Sequence, residues 1–321
     1  MKPKIVTLGS GSGQRKLLEG LSPEQCDVTA IVGVTDNGGS SAVLRRSMNI
    51  PQPGDTRSCL TAVARDEVLR KLLDFRFQEG ELRGVNLGNY ILAALTRIEG
   101  DFGLAVERAG ELVSAWGRVL PATVESTHVC AELVNGARLV GEWEIIRRKP
   151  RARILRVSLE KPVPVYPPAA EAIANADLVV IGPGSLMTGI VPVLLAKGLR
   201  EAIQRSSAPV AYVTNLMTQP GQTDGFSVRD HVEVVETYLK LSVDHVLAND
   251  ADVPGELLAH FRTLGSEPVA DNMGDDARMV RGNLLQADSL ETLRRHDRPD
   301  NVFFLYHDPS KLAERLLGTI A

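Results

Sequence analysis

The 321-residue sequence predicts an α/β fold: a doubly wound, mostly parallel Rossmann-like sheet carrying a small antiparallel β insertion. Three observations predict it. Four glycine-rich turns each follow a short β-type apolar run, β-type runs alternate with helical patterns from residue 4 to about 115, and residues 118–166 switch to strand-like alternation before the parallel pattern resumes. With 44% hydrophobic and 24% charged residues, the chain can bury a large core. A formal net charge of -4 argues against non-specific nucleic-acid binding, which needs a basic face. Cys26, Cys59 and Cys130 are scattered without Cys-x-x-Cys spacing, so neither a disulfide framework nor a zinc site is expected. No apolar run approaches transmembrane length, and the first strand is too short for a signal-peptide core. The expectation is a cytoplasmic protein without membrane insertion.

In chain order, Ile5-Val6-Thr7-Leu8 reads as the first strand, Gly9-Ser10-Gly11-Ser12-Gly13 as its turn, and Arg15 to Leu21 as a short helix. Ala30 to Val34 is the second strand. It runs into Asp36-Asn37-Gly38-Gly39-Ser40-Ser41 and a helix over Ala42 to Arg46. Helical spacing follows at Thr56 to Ala64, Leu87 to Ile98 and Leu104 to Ala115. Thr123 to Glu125, Val129 to Val134 and Ile154 to Leu159 alternate, with a turn at Asn135-Gly136, which is the antiparallel insertion. Pro162, Pro164, Pro167 and Pro168 break regular structure before a helix over Ala169 to Asn175, and strands follow at 178–182, 210–214 and 244–248. Leu312 to Leu317 is an amphipathic terminal helix, fit for packing or for a homodimer interface. The implied division is a core of residues 1–117 and 167–321 with residues 118–166 packed on it.

In an open parallel sheet, turns at the carboxyl ends of strands converge on one crevice, so these four turns outline a nucleotide site. The first turn is not the dinucleotide pattern Gly-x-Gly-x-x-Gly, because its third glycine comes one residue early. A strand precedes it and a helix follows, so its N–H groups can point at a phosphate; a tight turn without ligand is the plain alternative. Asp36 sits where an NAD protein places its ribose-binding acid, which keeps an oxidoreductase open. The continuing Asn37-Gly38-Gly39-Ser40 run makes a second anion nest instead, or a loop ending in a serine cap. In Pro53-Gly54-Asp55-Thr56-Arg57, Asp55 or Thr56 can cap a helix; equally, Arg57 can clamp a phosphate while Asp55 binds a metal ion or hydroxyl. Asn86 and Asn89, around Leu87-Gly88, can read a heterocycle or sugar or cap the next helix. The six histidines lack metal-ligand spacing, His231 reads as a surface or capping residue, and the Arg147-Arg148-Lys149 run reads as a solvated face.

The combination of turns resembles the YvcK branch of the YvcK/CofD family. The resemblance rests on Asp36-Asn37-Gly38-Gly39-Ser40-Ser41 with Leu44-Arg45-Arg46, Pro53 to Arg57, Asn86 to Asn89, Ile181-Gly182-Pro183-Gly184-Ser185 and Asn215-Leu216-Met217-Thr218-Gln219-Pro220-Gly221-Gln222-Thr223, and runs from residue 4 to His307-Asp308-Pro309. It implies a gluconeogenesis factor that binds UDP-sugars such as UDP-N-acetylglucosamine or UDP-glucose and serves growth on gluconeogenic carbon and cell shape. The CofD branch instead transfers a phospholactyl group from a nucleotide diphosphate donor with magnesium, and carries a different acidic loop at residues 36–41. The first turn departs from the family's common Gly-Gly-Gly-Thr-Gly but keeps its small residues and hydroxyl. Residues 185–188, Ser-Leu-Met-Thr, lack the aromatic that often follows the serine.

On this resemblance, Gly9, Gly11, Ser12 and Gly13 line a first phosphate nest, and Gly182 and Gly184, with Ser185 and Thr188 at a second helix N-terminus across the crevice, complete the phosphate site. Asn215 and the loop from Gln219 contact uracil or sugar, and Arg57, Asn86 and Asn89 complete the ligand set. Asp36 and Asp55 are the acids expected to hold ribose or sugar hydroxyls, or to be catalytic with magnesium under the transferase alternative. The expected partner is a small nucleotide ligand. No nucleophile paired with a base is visible, so the residues themselves assign no catalysis.

Overall fold

The computed structural model describes residues 1–36, 41–149, 151–289, 291 and 305–320, with backbone alone at 41–43 and 46. In chain order the strands are β1 (Lys4–Gly9), β2 (Asp27–Val32), β3 (Arg118–Pro121), β4 (Val129–Leu133), β5 (Arg138–Val140), β6 (Ile154–Leu159), β7 (Leu178–Ile181), β8 (Val210–Val213), β9 (His245–Asn249) and β10 (Met279–Gly282). Seven of them form one sheet in the order β10-β9-β8-β7-β1-β2-β3, with every neighbouring pair parallel. The other three form an antiparallel sheet, β5-β4-β6. This is the mostly parallel, doubly wound architecture with a small antiparallel addition.

The central strands read as unbroken apolar runs because both faces of the parallel sheet are covered. All four residues of β7 and of β8 are buried. Alternate residues serve opposite layers: Val6, Leu8, Val179 and Ile181 enter one core, and Ile5, Leu178 and Val180 the other. The strand order reverses between β1 and β7, since the chain runs outward through β2 and β3 on one side and through β8 to β10 on the other. A crevice therefore opens beyond the carboxyl ends of β1 and β7.

Several elements differ from the sequence pattern. The first helix spans Gly11–Gly20, beginning four residues before Arg15, because Gly11 takes φ +65° and reverses the chain directly out of β1. Arg118–Pro121 is the outer strand of the parallel sheet, inside the stretch read as antiparallel, and Thr123 to Glu125 forms no strand. Pro167 and Pro168 open the helix Pro167–Ala174 rather than delaying it, since the first helical positions need no N–H donor. The pattern also missed the helix Glu142–Arg147 and strand β10, which is only partly buried. His231 is fully buried, its Nδ1 lying 2.8 Å from the Ser227 carbonyl, and is not a surface residue. The helix Pro309–Leu317 buries Leu312, Ala313 and Leu316 against the first helix, so its apolar face is used within the chain. Among the described residues no helix is long and apolar enough to cross a membrane.

Candidate functional site

The first glycine turn is bound up with its neighbours. Gly9 ends β1, and Ser10 precedes the helix in extended conformation without a side-chain cap. The Gly11 N–H donates instead to the Asp55 carboxylate, from the first turn of the helix Gly54–Val63, so an acid in trans satisfies the helix terminus. A Cβ on Gly11 would meet only Asp55 Oδ1, at 3.9 Å, and Ser12 is exposed; this face is open. Gly13 differs. A Cβ there would lie 2.5 Å from the Pro183 carbonyl oxygen and 3.1 Å from the Gly184 nitrogen, so the missing side chain lets the helix press onto the turn Gly182–Gly184.

A second acid joins from β2. Asp36 lies just beyond that strand, and Gln52 bridges the two loops by donating Nε2 to Asp36 Oδ2 (2.8 Å) and accepting the Asp55 N–H at Oε1 (3.3 Å). Arg45 fixes the backbone here, donating to the carbonyls of Thr35 (3.2 Å), Asp36 (3.0 Å) and Thr127 and to Ser126 Oγ (3.1 Å). A third acid arrives from the antiparallel region. Glu142, the first residue of its short helix, hydrogen-bonds to Asp36, which requires one of the two to hold a proton, and accepts from Thr188 Oγ1 at 2.9 Å. Burial, then the charges of Asp36 and Asp55, raise the Glu142 carboxyl well above the usual range. Burial and Asp36 likewise push Asp55 up to about 7, against the opposing pull of Arg57 and the Gly11 N–H. The three acids are hard oxygen donors. However, among the described residues no group of three or more His, Cys, Asp or Glu is gathered closely enough to hold a metal ion.

The opposite wall comes from the β7 and β8 ends. Thr188 is buried inside the π-helical turn Leu186–Ile190 rather than at a helix N-terminus, and its Oγ1 lies 2.7 Å from Ser185 Oγ. Ser185 donates in turn to Gln222 Oε1 at 3.1 Å. Asn215 donates Nδ2 to the Gly184 carbonyl at 2.9 Å, which fixes which way its amide points and leaves Oδ1 buried without a partner. Gln219 Oε1 is also buried and unpartnered. Two amide oxygens of this segment thus have no donor within the chain, that of Asn215 beside the Gly182–Gly184 turn.

Other expected residues are committed elsewhere. Asn86 caps the helix Leu87–Glu99 by accepting the Asn89 N–H (3.0 Å) and gives its own N–H groups to the Leu73 and Phe75 carbonyls (3.2 and 3.1 Å); Asn89 is buried in that helix's first turn. Arg57 is paired with Asp74, which also binds Arg15 at 2.9 Å. Asn37, Gly38, Gly39 and Ser40 lie outside the described residues. Sequence reasoning missed Gln52, Glu142 and Arg148. The last corrects the solvated-face reading: its guanidinium donates to the carbonyls of Ile145, Ala152 and Gly221. Elsewhere, a groove of about 1010 Å³ runs between β6 and the helix Val228–Leu239, with neither glycine turns nor the three acids among its lining residues.

The fold and this crevice define a doubly wound α/β protein with its candidate site at the point where the strand order reverses. The chain belongs to the CofD/YvcK family: the family model described as 2-phospho-L-lactate transferase CofD matches residues 5–287. A Thermotoga maritima relative is 41% identical over 313 residues, 97% of each chain. The Bacillus subtilis gluconeogenesis factor is 36% identical over 322 residues, 99% of this chain and 98% of that one. A crystal structure of a Bacillus halodurans protein superimposes with a TM-score of 0.89 at 34% identity, covering 99% of this chain and 100% of that chain.

Proposed function

We propose that the protein is a cytoplasmic nucleotide-sugar-binding regulator of the gluconeogenesis-factor type, serving carbon metabolism and cell shape, with UDP-N-acetylglucosamine or UDP-glucose as its ligand. The observation that carries the reading is the buried, unpartnered Oδ1 of Asn215, held in orientation by the Gly184 carbonyl. An acceptor so placed matches an N–H of uracil or of an acetamido group. With the Gly11 N–H held by Asp55, the exposed turn at Ser12 and Gly13 offers the remaining helix N–H groups to a diphosphate, and Asp36 offers a carboxylate to ribose or sugar hydroxyls. The name of the Bacillus subtilis relative supports the gluconeogenesis-factor part of this reading. The test is thermal unfolding with UDP-sugars, GDP and NAD. The UDP-sugar should stabilise the fold most, by about 2–4 kcal/mol at roughly 100 to 1,000 times its Kd. Equal stabilisation by NAD would move the reading to an oxidoreductase.

One observation favours a second reading. Asp36, Asp55 and Glu142 are the donor type magnesium takes, which fits a CofD-like phospholactyl transferase. Among the described residues these acids are not gathered into one coordination sphere. Magnesium-dependent consumption of a nucleotide diphosphate donor, abolished by Asp36→Asn or Asp55→Asn, would establish the transferase; binding that persists in EDTA with the nucleotide sugar left intact supports the regulator.

A further inference from the structure

The short helix Glu142–Arg147 is gripped at both ends by opposite walls of the crevice. At its start, Glu142 meets Asp36 from the β2 side and Thr188 from the β7 side. Just past its end, Arg148 donates to the Gly221 carbonyl in the loop that carries Gln219 and Gln222, and the same guanidinium bonds Ile145 and Ala152 within the antiparallel region. Gly221 sits at φ +84°, and a Cβ there would lie 3.3 Å from Arg151 and 3.5 Å from Arg148, so the loop packs directly onto these arginines. The loop is otherwise held mainly by its own turn bonds: the Gln219 N–H to Thr223 Oγ1 (2.8 Å), the Gly221 N–H to Asp224 (2.6 Å) and the Gln222 N–H to the Gln219 carbonyl (2.9 Å). Among the described residues, its side-chain tie to the turn Gly182–Ser185 is Ser185 to Gln222. We infer that the antiparallel region acts as a clasp on the site, with Arg148 the positioning residue that holds the 219–223 loop over the second glycine turn. A guanidinium can serve three carbonyls at once, whereas an ammonium on the same stem reaches fewer. The consequence for ligand rests on the nucleotide-sugar reading; the grip on the loop does not.

The experiment is hydrogen exchange of the full apo chain, followed by mass spectrometry, alongside titration with UDP-N-acetylglucosamine. Arg148→Ala should speed exchange at residues 219–223 about tenfold while leaving β7 unchanged, and weaken UDP-N-acetylglucosamine by about tenfold. Arg148→Lys should restore part of both. If Arg148→Ala also loosens β4, the antiparallel sheet itself has been disturbed; Arg148→Met, which keeps the aliphatic stem and removes the donors to all three carbonyls, then breaks the same junction, and faster loop exchange with β4 intact is expected. Loop exchange at the wild-type rate in both variants overturns the clasp. So does a loosened loop that binds the UDP-sugar as tightly as wild type. A wild-type chain that takes up no UDP-sugar removes the proposed function, and the exchange result alone then decides the clasp.

Discussion

Asp55→Asn should stabilise the apo protein at pH 8 and not at pH 5. Burial and the nearby Asp36 carboxylate raise the Asp55 carboxyl from 3.8 to about 7, although Arg57 and the Gly11 N–H favour its charge. A folded-state value above the unfolded one means the group's contribution to stability is complete below pH 4 and is lost as the pH rises through about 7. Each pH unit of displacement corresponds to about 1.4 kcal/mol, so the ceiling is about 4 kcal/mol. The Glu142 carboxyl, itself raised by burial, hydrogen-bonds to Asp36 and offsets part of that repulsion, and a realised gain of about 1–2 kcal/mol is expected. Asparagine keeps an acceptor for the Gly11 N–H and carries no charge. The assay is urea unfolding of both proteins in EDTA at pH 5, 6, 7 and 8 at fixed ionic strength, taking the difference between proteins at each pH so that other titrations cancel. A difference that grows towards pH 8 in favour of the variant supports the reasoning. A pH-independent difference, or one that favours wild type more at pH 8, would refute it.

Two further substitutions separate structure from binding. Asn86→Ala removes a helix cap and the amide's two bonds to the Leu73 and Phe75 carbonyls, which keep the Arg57 guanidinium and the Leu87 N–H as donors, so chemical unfolding should show a loss of about 1–2 kcal/mol while UDP-sugar affinity in the folded variant stays at the wild-type value. Gly13→Ala puts a methyl group against the backbone of Pro183, so the melting temperature should fall, corresponding to about 1–3 kcal/mol, whether or not ligand is present.

The fold was legible where one periodicity dominates. The apolar runs of β1, β7 and β8 are buried on both faces and could be read as central strands of a parallel sheet, and the glycines after β1 and β7 marked the switch point. Arg118–Pro121 was misplaced because a short edge strand looks the same in sequence whichever sheet it joins. Within the site, Asp36, Ser185 and Asn215, polar residues just past strand ends, and Asp55, an acid in the first turn of a helix, carried local signals. Gln52 and Glu142 carried none, since each acts through a partner far away in sequence: Gln52 on Asp36, and Glu142 on Asp36 and Thr188. Arg148 sits in a basic run whose composition signals solvent, and only the tertiary contact with Gly221 shows its use. Asn86 and Asn89 fitted either role, and the Asn86 amide is spent on capping and on the Leu73 and Phe75 carbonyls.

The central claim is that the crevice between β1 and β7 binds a nucleotide sugar against the Asn215 amide. Isothermal titration of UDP-N-acetylglucosamine in EDTA, into wild type and Asn215→Ala, tests it most directly. The account predicts one site per chain, tighter than NAD or GDP, and a loss of about 1–3 kcal/mol in the variant as the hydrogen bond to Oδ1 disappears. Binding of NAD as tight as that of the UDP-sugar, or identical UDP-sugar affinity in wild type and a folded Asn215→Ala protein, would contradict it.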